Sequence, residues 1–119
     1  MSIVLKRAYE SSTPRDGRRI LVDRIWPRGL SKNEINIDEW MKEVAPSDRL
    51  RRSFHRGELA WGEFRKGYLL ELKSHRDELR RLARISKQGR VTLVFGANDK
   101  EHNNAVVLRQ YLKMLGAGG

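Results

Sequence analysis

The sequence predicts a small α/β fold in which helices pack on a mostly parallel sheet with Rossmann-like layering. Two apolar, β-branched runs, at residues 20–25 and 91–95, are typical of buried strands. Between and after them, apolar residues recur every three or four positions, as they do on the buried face of a helix. Strands alternating with helices favour a parallel sheet with right-handed crossovers.

The length of 119 residues suits one domain. We expect residues 1–115 to form that domain and residues 116–119 to be a flexible tail after the last periodic segment.

The first forty residues are predicted to hold two strands and a weaker third. The first strand occupies residues 3–9, and residues 10–18 are rich in turn formers and predict a loop. The second strand, at residues 20–25, stops at Trp26-Pro27 because proline cannot donate to a strand ladder. Residues 35–40 alternate between apolar and polar, which predicts a short extended segment.

Three helices are predicted between residues 47 and 89. Ser47 is the N-cap candidate of the first, which carries Leu50 and Phe54 four residues apart. Residues 61–72 and 79–85 continue the apolar spacing in two further helices. Gly89 ends this helical block.

The end of the chain predicts one strand and one helix. Residues 91–95 are apolar enough for a central strand that is covered on both faces. Asp99 is predicted to cap the last helix, with Glu101 in its positively polarised first turn. The buried side of that helix would run over residues 105–115, and Gly116 would close it.

Composition excludes several function classes. The chain has no cysteine, so disulfides, thiolate nucleophiles, zinc–thiolate sites and iron–sulfur clusters are absent. It has no apolar run of the roughly 18 residues that a membrane span needs and no signal-peptide pattern, so we expect a cytoplasmic protein without a membrane partner. The net charge of +10 favours anionic partners.

Polar side chains collect in two loops, residues 23–32 and 96–104, which each follow a predicted strand. Ligands of parallel sheets bind outside the carboxyl ends of the strands, so we expect the two loops to face each other across one crevice. In the first loop, Arg24 and Arg28 can hold phosphate or carboxylate oxygens, and Gly29 lets a backbone N–H approach a ligand closely. The alternative is an ion pair with Asp23 that pins the loop.

The second loop offers Asn98, Asp99, His102 and Asn103 as further ligand-binding residues. A helix N-terminus attracts anions, and a histidine there can act as acid or base. The alternative is structural: Asp99 caps, which we favour, His102 bonds to a neighbouring strand end, and Asn103 ties the loop. If catalysis occurs, Asp23 and His102 are the candidate proton-transfer pair.

The remaining histidines and the tryptophans favour structural roles. His55 and His75 are expected at the surface, and the three histidines lack metal-ligand spacing, so we predict no metal site. The alternative is that Asp23, Asp99 and His102 hold a hard cation weakly. We also predict no cofactor. Trp61 is expected in the core, whereas Trp26 would form a wall of the crevice and Trp40 would pack near it. The alternative is that exposed tryptophans stack on nucleic-acid bases.

Four segments resemble, in order and spacing, the YeaO-like family of bacterial and archaeal domains of unknown function. They are DRIWPRGLSK at 23–32, WMKEVAPSDRLRRSF at 40–54, WGEFRKGYLLEL at 61–72 and VTLVFGANDKEHNNAVVL at 91–108. The resemblance implies a fold and a site without a settled activity.

Three departures limit what the resemblance implies. A distantly similar group carries a cysteine and histidine motif after the last strand, where this chain reads NDKEHNN, so no cysteine-based activity is implied. Asn98 stands where the family commonly has lysine, and residues 54–59 lack the family's His-Asp-Pro pattern. The last two change the charge expected near the crevice.

Three functions follow as hypotheses. The first is a cationic crevice that binds an anionic, phosphate-bearing small molecule such as a nucleotide, with hydrolysis or group transfer as the reaction to test. The alternative is a non-catalytic nucleic-acid-binding module that uses arginine-rich helices, including Arg51, Arg52, Arg80 and Arg84. The third is a purely structural partner protein.

Overall fold

A computed structural model describes residues 2–117 and shows a four-stranded, all-parallel sheet with strand order β1-β4-β2-β3. The strands are β1 (Ser2–Arg7), β2 (Arg18–Leu21), β3 (Glu39–Trp40) and β4 (Arg90–Phe95). β4 lies between β1 and β2, with Leu93 paired to Leu5 on one side and to Ile20 on the other. The predicted α/β class and the central position of the strand at 91–95 are confirmed.

Residues 2–117 also form five α-helices and three short 3-10 turns. The helices are α1 (Lys32–Ile35), α2 (Asp48–His55), α3 (Trp61–Leu72), α4 (Arg76–Gln88) and α5 (Asn104–Met114). The 3-10 turns are Pro14–Asp16, Lys42–Val44 and Lys73–His75. Within residues 2–117, no helix has the length and apolar character that crossing a bilayer requires.

The two faces of the sheet are covered unequally. Successive strand residues point to opposite faces, so Leu93 and Phe95 of β4 join the large core formed with α3, α4 and α5. Val94 points the other way, into a smaller cluster with Leu21 and Ile35. The three long helices therefore cover one face, while α1 and the loop before it cover the other.

Helix α1 was not predicted, although its start has a clear signature. The Ser31 hydroxyl accepts a hydrogen bond from the Glu34 N–H at 3.2 Å, and the Glu34 carboxylate accepts one from the Ser31 N–H at 2.8 Å. This is a capping box, and Ser-x-x-Glu is its sequence signal. The extended segment predicted at 35–40 is partly correct, because Ile35 ends α1 and β3 begins at Glu39.

The first two strands end earlier than predicted. The N–H groups of Ala8 and Val22 still bond to carbonyls of β4, at 2.7 and 3.0 Å, after which each chain leaves the sheet. Beyond these points Tyr9 is 46% exposed and Ile25 is 56% exposed. The prediction of Ile25 as a buried strand residue was wrong, because the chain turns at Asp23 to meet the end of β4.

Asn103, not Asp99, caps the last helix, so the predicted helix start was wrong. The Asn103 Oδ1 accepts from the Val106 N–H at 3.0 Å, and its Nδ2 donates to the Asp99 carbonyl at 2.9 Å. Asp99 instead closes a turn by accepting from the N–H groups of Glu101 and His102. Asn103 suits the position between this turn and α5 because an amide side chain can accept one hydrogen bond and donate another.

The predicted helix end is close to the observed one. α5 ends at Met114, Leu115 is the C-cap residue, and Gly116 follows with φ of 90°. The Ala117 N–H bonds back to the Leu112 carbonyl at 3.0 Å. Of the tail predicted at 116–119, residues 118 and 119 lie outside the described residues.

Candidate functional site

A cavity of about 610 Å³ opens at the edge of the sheet where the strands end. Each strand supplies lining residues from the segment that follows it: Tyr9 after β1, Asp23 to Arg28 after β2, Pro46 after β3, and residues between Gly96 and Asn104 after β4. Because all four strands are parallel, their carboxyl ends meet at this one edge. The two polar loops of the sequence therefore line the same cavity.

Asp23 lies at the base of this cavity and joins three elements. Its Oδ2 accepts a hydrogen bond from the Gly96 N–H at 2.8 Å, and its Oδ1 accepts one from the Asn104 side chain at 3.0 Å. The Asp23 carbonyl accepts from the Trp40 indole at 2.7 Å. Asp23 therefore holds the end of β2 against the end of β4 and the start of α5.

The environment of Asp23 changes its acidity. Burial raises the pKa of the Asp23 carboxyl, and the hydrogen bonds from Asn104 and Gly96 oppose that rise. Electrostatic interactions with His55 and Arg51 oppose it further. The net effect is a raised pKa, so this carboxyl holds its proton more tightly than an exposed aspartate does.

Arg24 lines the cavity and also supports its wall. Its Nε donates to the Pro46 carbonyl at 3.0 Å, and its Nη2 donates to the Ala45 carbonyl at 3.2 Å. These bonds join the loop after β2 to the segment before α2. The ion pair with Asp23 that the sequence left open is not formed by Arg24.

Arg28 lies at the exposed side of the cavity. Its carbonyl accepts a hydrogen bond from the Tyr9 hydroxyl at 2.9 Å, while its guanidinium makes no hydrogen bond or ion pair within residues 2–117. Gly29 follows with φ of 82°, a conformation that favours glycine, but it is not a lining residue. The structure thus brings Arg28 to the cavity and leaves Gly29 beside it.

Helix α2 supplies a wall that the sequence did not predict. Arg51 and His55, one helical turn apart, both line the cavity. Arg51 Nη2 donates to Asp48 at 3.1 Å, whereas its Nε is buried without a hydrogen-bond partner among the described residues. The sequence signal that could have indicated this wall is the i, i+4 spacing of two basic side chains, each next to one residue of the apolar pair Leu50 and Phe54.

The loop after β4 brings its four predicted residues to the cavity. Asn98, Asp99, His102 and Asn103 all line it. The Asn98 Oδ1 accepts from Arg7 Nη2 at 2.9 Å. Backbone N–H groups, chiefly that of Glu101 and then that of His102, lower the pKa of Asp99 and keep it ionised.

Aromatic rings continue the wall. His102 contacts Trp61 with ring centroids 4.9 Å apart, and Phe54 stacks on Phe64 with centroids 4.4 Å apart. Trp61 is half-buried at the margin of the core rather than inside it. As expected, Trp26 lines the cavity, and the Trp40 ring packs against the Trp26 ring with centroids 5.4 Å apart.

Asp23 and His102 share the cavity but have different partners. His102 Nδ1 lies 3.3 Å from the Asp99 carboxylate, and both Asp23 oxygens accept hydrogen bonds from elsewhere. Of the other histidines, His55 is exposed and lines the cavity, whereas His75 does not line it. Within residues 2–117, no three His, Asp or Glu side chains are grouped so that they could hold a metal ion.

Comparison with known proteins gives the family. A family model described as the inactive DUF488-N3 subclade matches residues 2–116. The chain is 44% identical to the uncharacterised protein YeaO of Escherichia coli over 115 residues, which cover 97% of this chain and 100% of that protein. Uncharacterised proteins of Mycobacterium bovis and Mycobacterium tuberculosis are 38% identical over 106 residues, 89% of each chain.

No solved structure matches the chain. The family model and the relatives nevertheless cover nearly its whole length and agree with the resemblance seen in its motifs. The chain therefore belongs to the YeaO-like family, in the inactive DUF488-N3 subclade.

Proposed function

We propose that this protein binds an anionic, phosphate-bearing small molecule in the cavity at the carboxyl edge of the sheet. The observation that carries the proposal is Arg28, which lines this cavity and whose guanidinium makes no hydrogen bond or ion pair within residues 2–117. A guanidinium without a protein partner can donate its N–H groups to phosphate oxygens, which match its planar geometry. Arg51, whose Nη2 donates to Asp48, lines the same cavity.

Of the residues that the structure describes, three arginines, Arg24, Arg28 and Arg51, line the cavity against two carboxylates, Asp23 and Asp99. Asp23 is engaged by Gly96 and Asn104, and Asp99 is engaged by the turn that it closes. The start of α5 adds the partial positive charge of a helix N-terminus. The charge balance therefore favours an anion.

Two observations support binding without chemistry. Asp23 and His102 each have other partners, so the proposed proton-transfer pair is not assembled by a mutual contact. The family is described as an inactive subclade. Both favour a ligand-binding role over the hydrolase or transferase reaction.

Titration calorimetry with phosphate, sugar phosphates and nucleotides, at constant ionic strength, tests the proposal. Arg28→Ala and Arg51→Ala should each weaken binding by about tenfold or more, because hydrogen bonds to charged groups are worth about 1.5–3 kcal/mol. The matched control is Arg80→Ala/Arg84→Ala, on the exposed side of α4, which should bind normally. An equal loss of affinity in the cavity variants and in the control, or no binding by the wild type, would overturn the proposal.

Nucleic-acid binding is the second candidate, supported by the exposed Arg80 and Arg84 one turn apart on α4. It predicts a steep dependence of affinity on salt that Arg80→Ala/Arg84→Ala reduces and Arg28→Ala leaves unchanged. Arg51 does not separate the two candidates, because it lines the cavity. Filter binding to RNA and DNA at several salt concentrations measures the difference.

A further inference from the structure

Two of the most exposed large apolar side chains within residues 2–117 line the cavity. Among the described residues, the large apolar side chains that are most exposed are Tyr9, Ile25, Leu70 and Met114. Tyr9 and Ile25 both line the cavity that Arg28 and Arg51 line. An anion alone leaves these two side chains in water, whereas a ligand with an apolar part covers them.

The Tyr9 side chain has two partners. Its hydroxyl donates to the Arg28 carbonyl at 2.9 Å, and the Arg7 guanidinium lies 5.1 Å from its ring centroid. Arg7 is itself fixed by bonds to the Ala97 carbonyl and the Asn98 side chain, each 2.9 Å. These contacts hold the ring in place before a ligand binds, and Tyr9 as a residue remains 46% exposed.

We propose that Tyr9 is a stacking platform for a planar ring of the ligand, which makes the ligand a nucleoside monophosphate or a close chemical relative. This rests on the proposed function, since Arg28 and Arg51 would hold the phosphate. One phosphate suits the site because Arg51 already shares its charge with Asp48. The hydrogen bond between Tyr9 and the Arg28 carbonyl joins the ring platform to the phosphate-binding loop.

The test compares a whole ligand with its two halves: adenosine 5′-monophosphate, adenosine and ribose 5-phosphate. Wild type should bind the monophosphate at least about tenfold more tightly than either half, because stacking of a base on an aromatic ring is worth about 1–3 kcal/mol. Tyr9→Ala should reduce its affinity to that of ribose 5-phosphate. Tyr9→Phe, which keeps the ring and loses the hydroxyl, should still bind adenosine 5′-monophosphate more tightly than ribose 5-phosphate.

Equal affinity of wild type for ribose 5-phosphate and the monophosphate would overturn the platform while leaving the proposed function intact. Binding of none of the three would overturn both. If Tyr9→Ala does not fold, Ile25→Ser replaces it: a loss of affinity for the monophosphate but not for ribose 5-phosphate supports an apolar ring site, and equal effects on both contradict it.

Discussion

Asp16 carries a charge in a nearly closed environment, with 6% of its surface exposed. Its carboxylate accepts hydrogen bonds from Arg19 Nη1 at 2.7 Å, the Thr13 N–H at 3.1 Å and Lys6 Nζ at 3.2 Å. Burial by itself would raise the pKa of Asp16, but these bonds outweigh it and lower the pKa. The ionised form is therefore the one that stabilises the fold.

Asp16→Asn should lower the free energy of unfolding at pH 7 by about 3 kcal/mol, because it leaves the buried Arg19 without its carboxylate. A lowered folded-state pKa gives stability that is present above the unfolded pKa, about 3.9, and is lost as pH falls through the folded pKa. The difference in free energy of unfolding between wild type and Asp16→Asn should therefore become smaller at acid pH. Urea unfolding at pH 7 and pH 3 measures it, and a difference that does not change with pH would contradict the assignment.

The sequence predicted many of the residues after the strands that line the cavity, but it did not predict those that lie on a helix. Arg24, Arg28 and His102 were found because loops after parallel strands converge. Arg51 and His55 were not predicted to line the cavity. Local periodicity shows which face of α2 is apolar, but it does not show where that helix lies over the sheet. Tyr9 was missed because the first strand was extended through it.

At the scale of elements, periodicity predicted the long helices and hydrogen bonding decided their ends. Ser47 caps α2 as predicted, accepting from the Leu50 N–H at 3.3 Å. The start of α5 differs because both Asp99 and Asn103 have capping side chains, and only the three-dimensional turn shows which of them reaches the helix. Such competition between neighbouring caps is not visible in spacing alone.

Asn103→Ala should lower stability by about 1–2 kcal/mol, because it removes the cap of α5 and the bond to the Asp99 carbonyl. Asn103→Asp keeps the acceptor and should recover part of the loss. Asp99→Ala should cost less than Asn103→Ala, since Asp99 is exposed and closes only the preceding turn. Thermal unfolding of the three variants ranks them, and a larger loss for Asp99→Ala would show that Asp99 is the more important cap.

At the scale of the whole molecule, the parallel sheet brings the ends of its strands to one edge, and the contacts of Asp23 hold them there. The Asn104 side chain donates both to the Val22 carbonyl at 2.9 Å and to Asp23 Oδ1 at 3.0 Å. Gly96 has little room for a side chain, because a Cβ there would lie 3.1 Å from the Asp23 carboxylate. The floor of the cavity is thus a joint between β2, β4 and α5.

Asp23→Asn should lower stability at pH 7 by about 2 kcal/mol, because an amide offers one acceptor oxygen where the carboxylate serves both Gly96 and Asn104. Asn104→Ala removes the other partner, so the two changes together should cost less than the sum of each alone. A double-mutant cycle by urea unfolding should give a coupling of about 0.5–3 kcal/mol. Additive effects would mean that the two side chains act independently, and the joint at the cavity floor would then depend on the Gly96 bond alone.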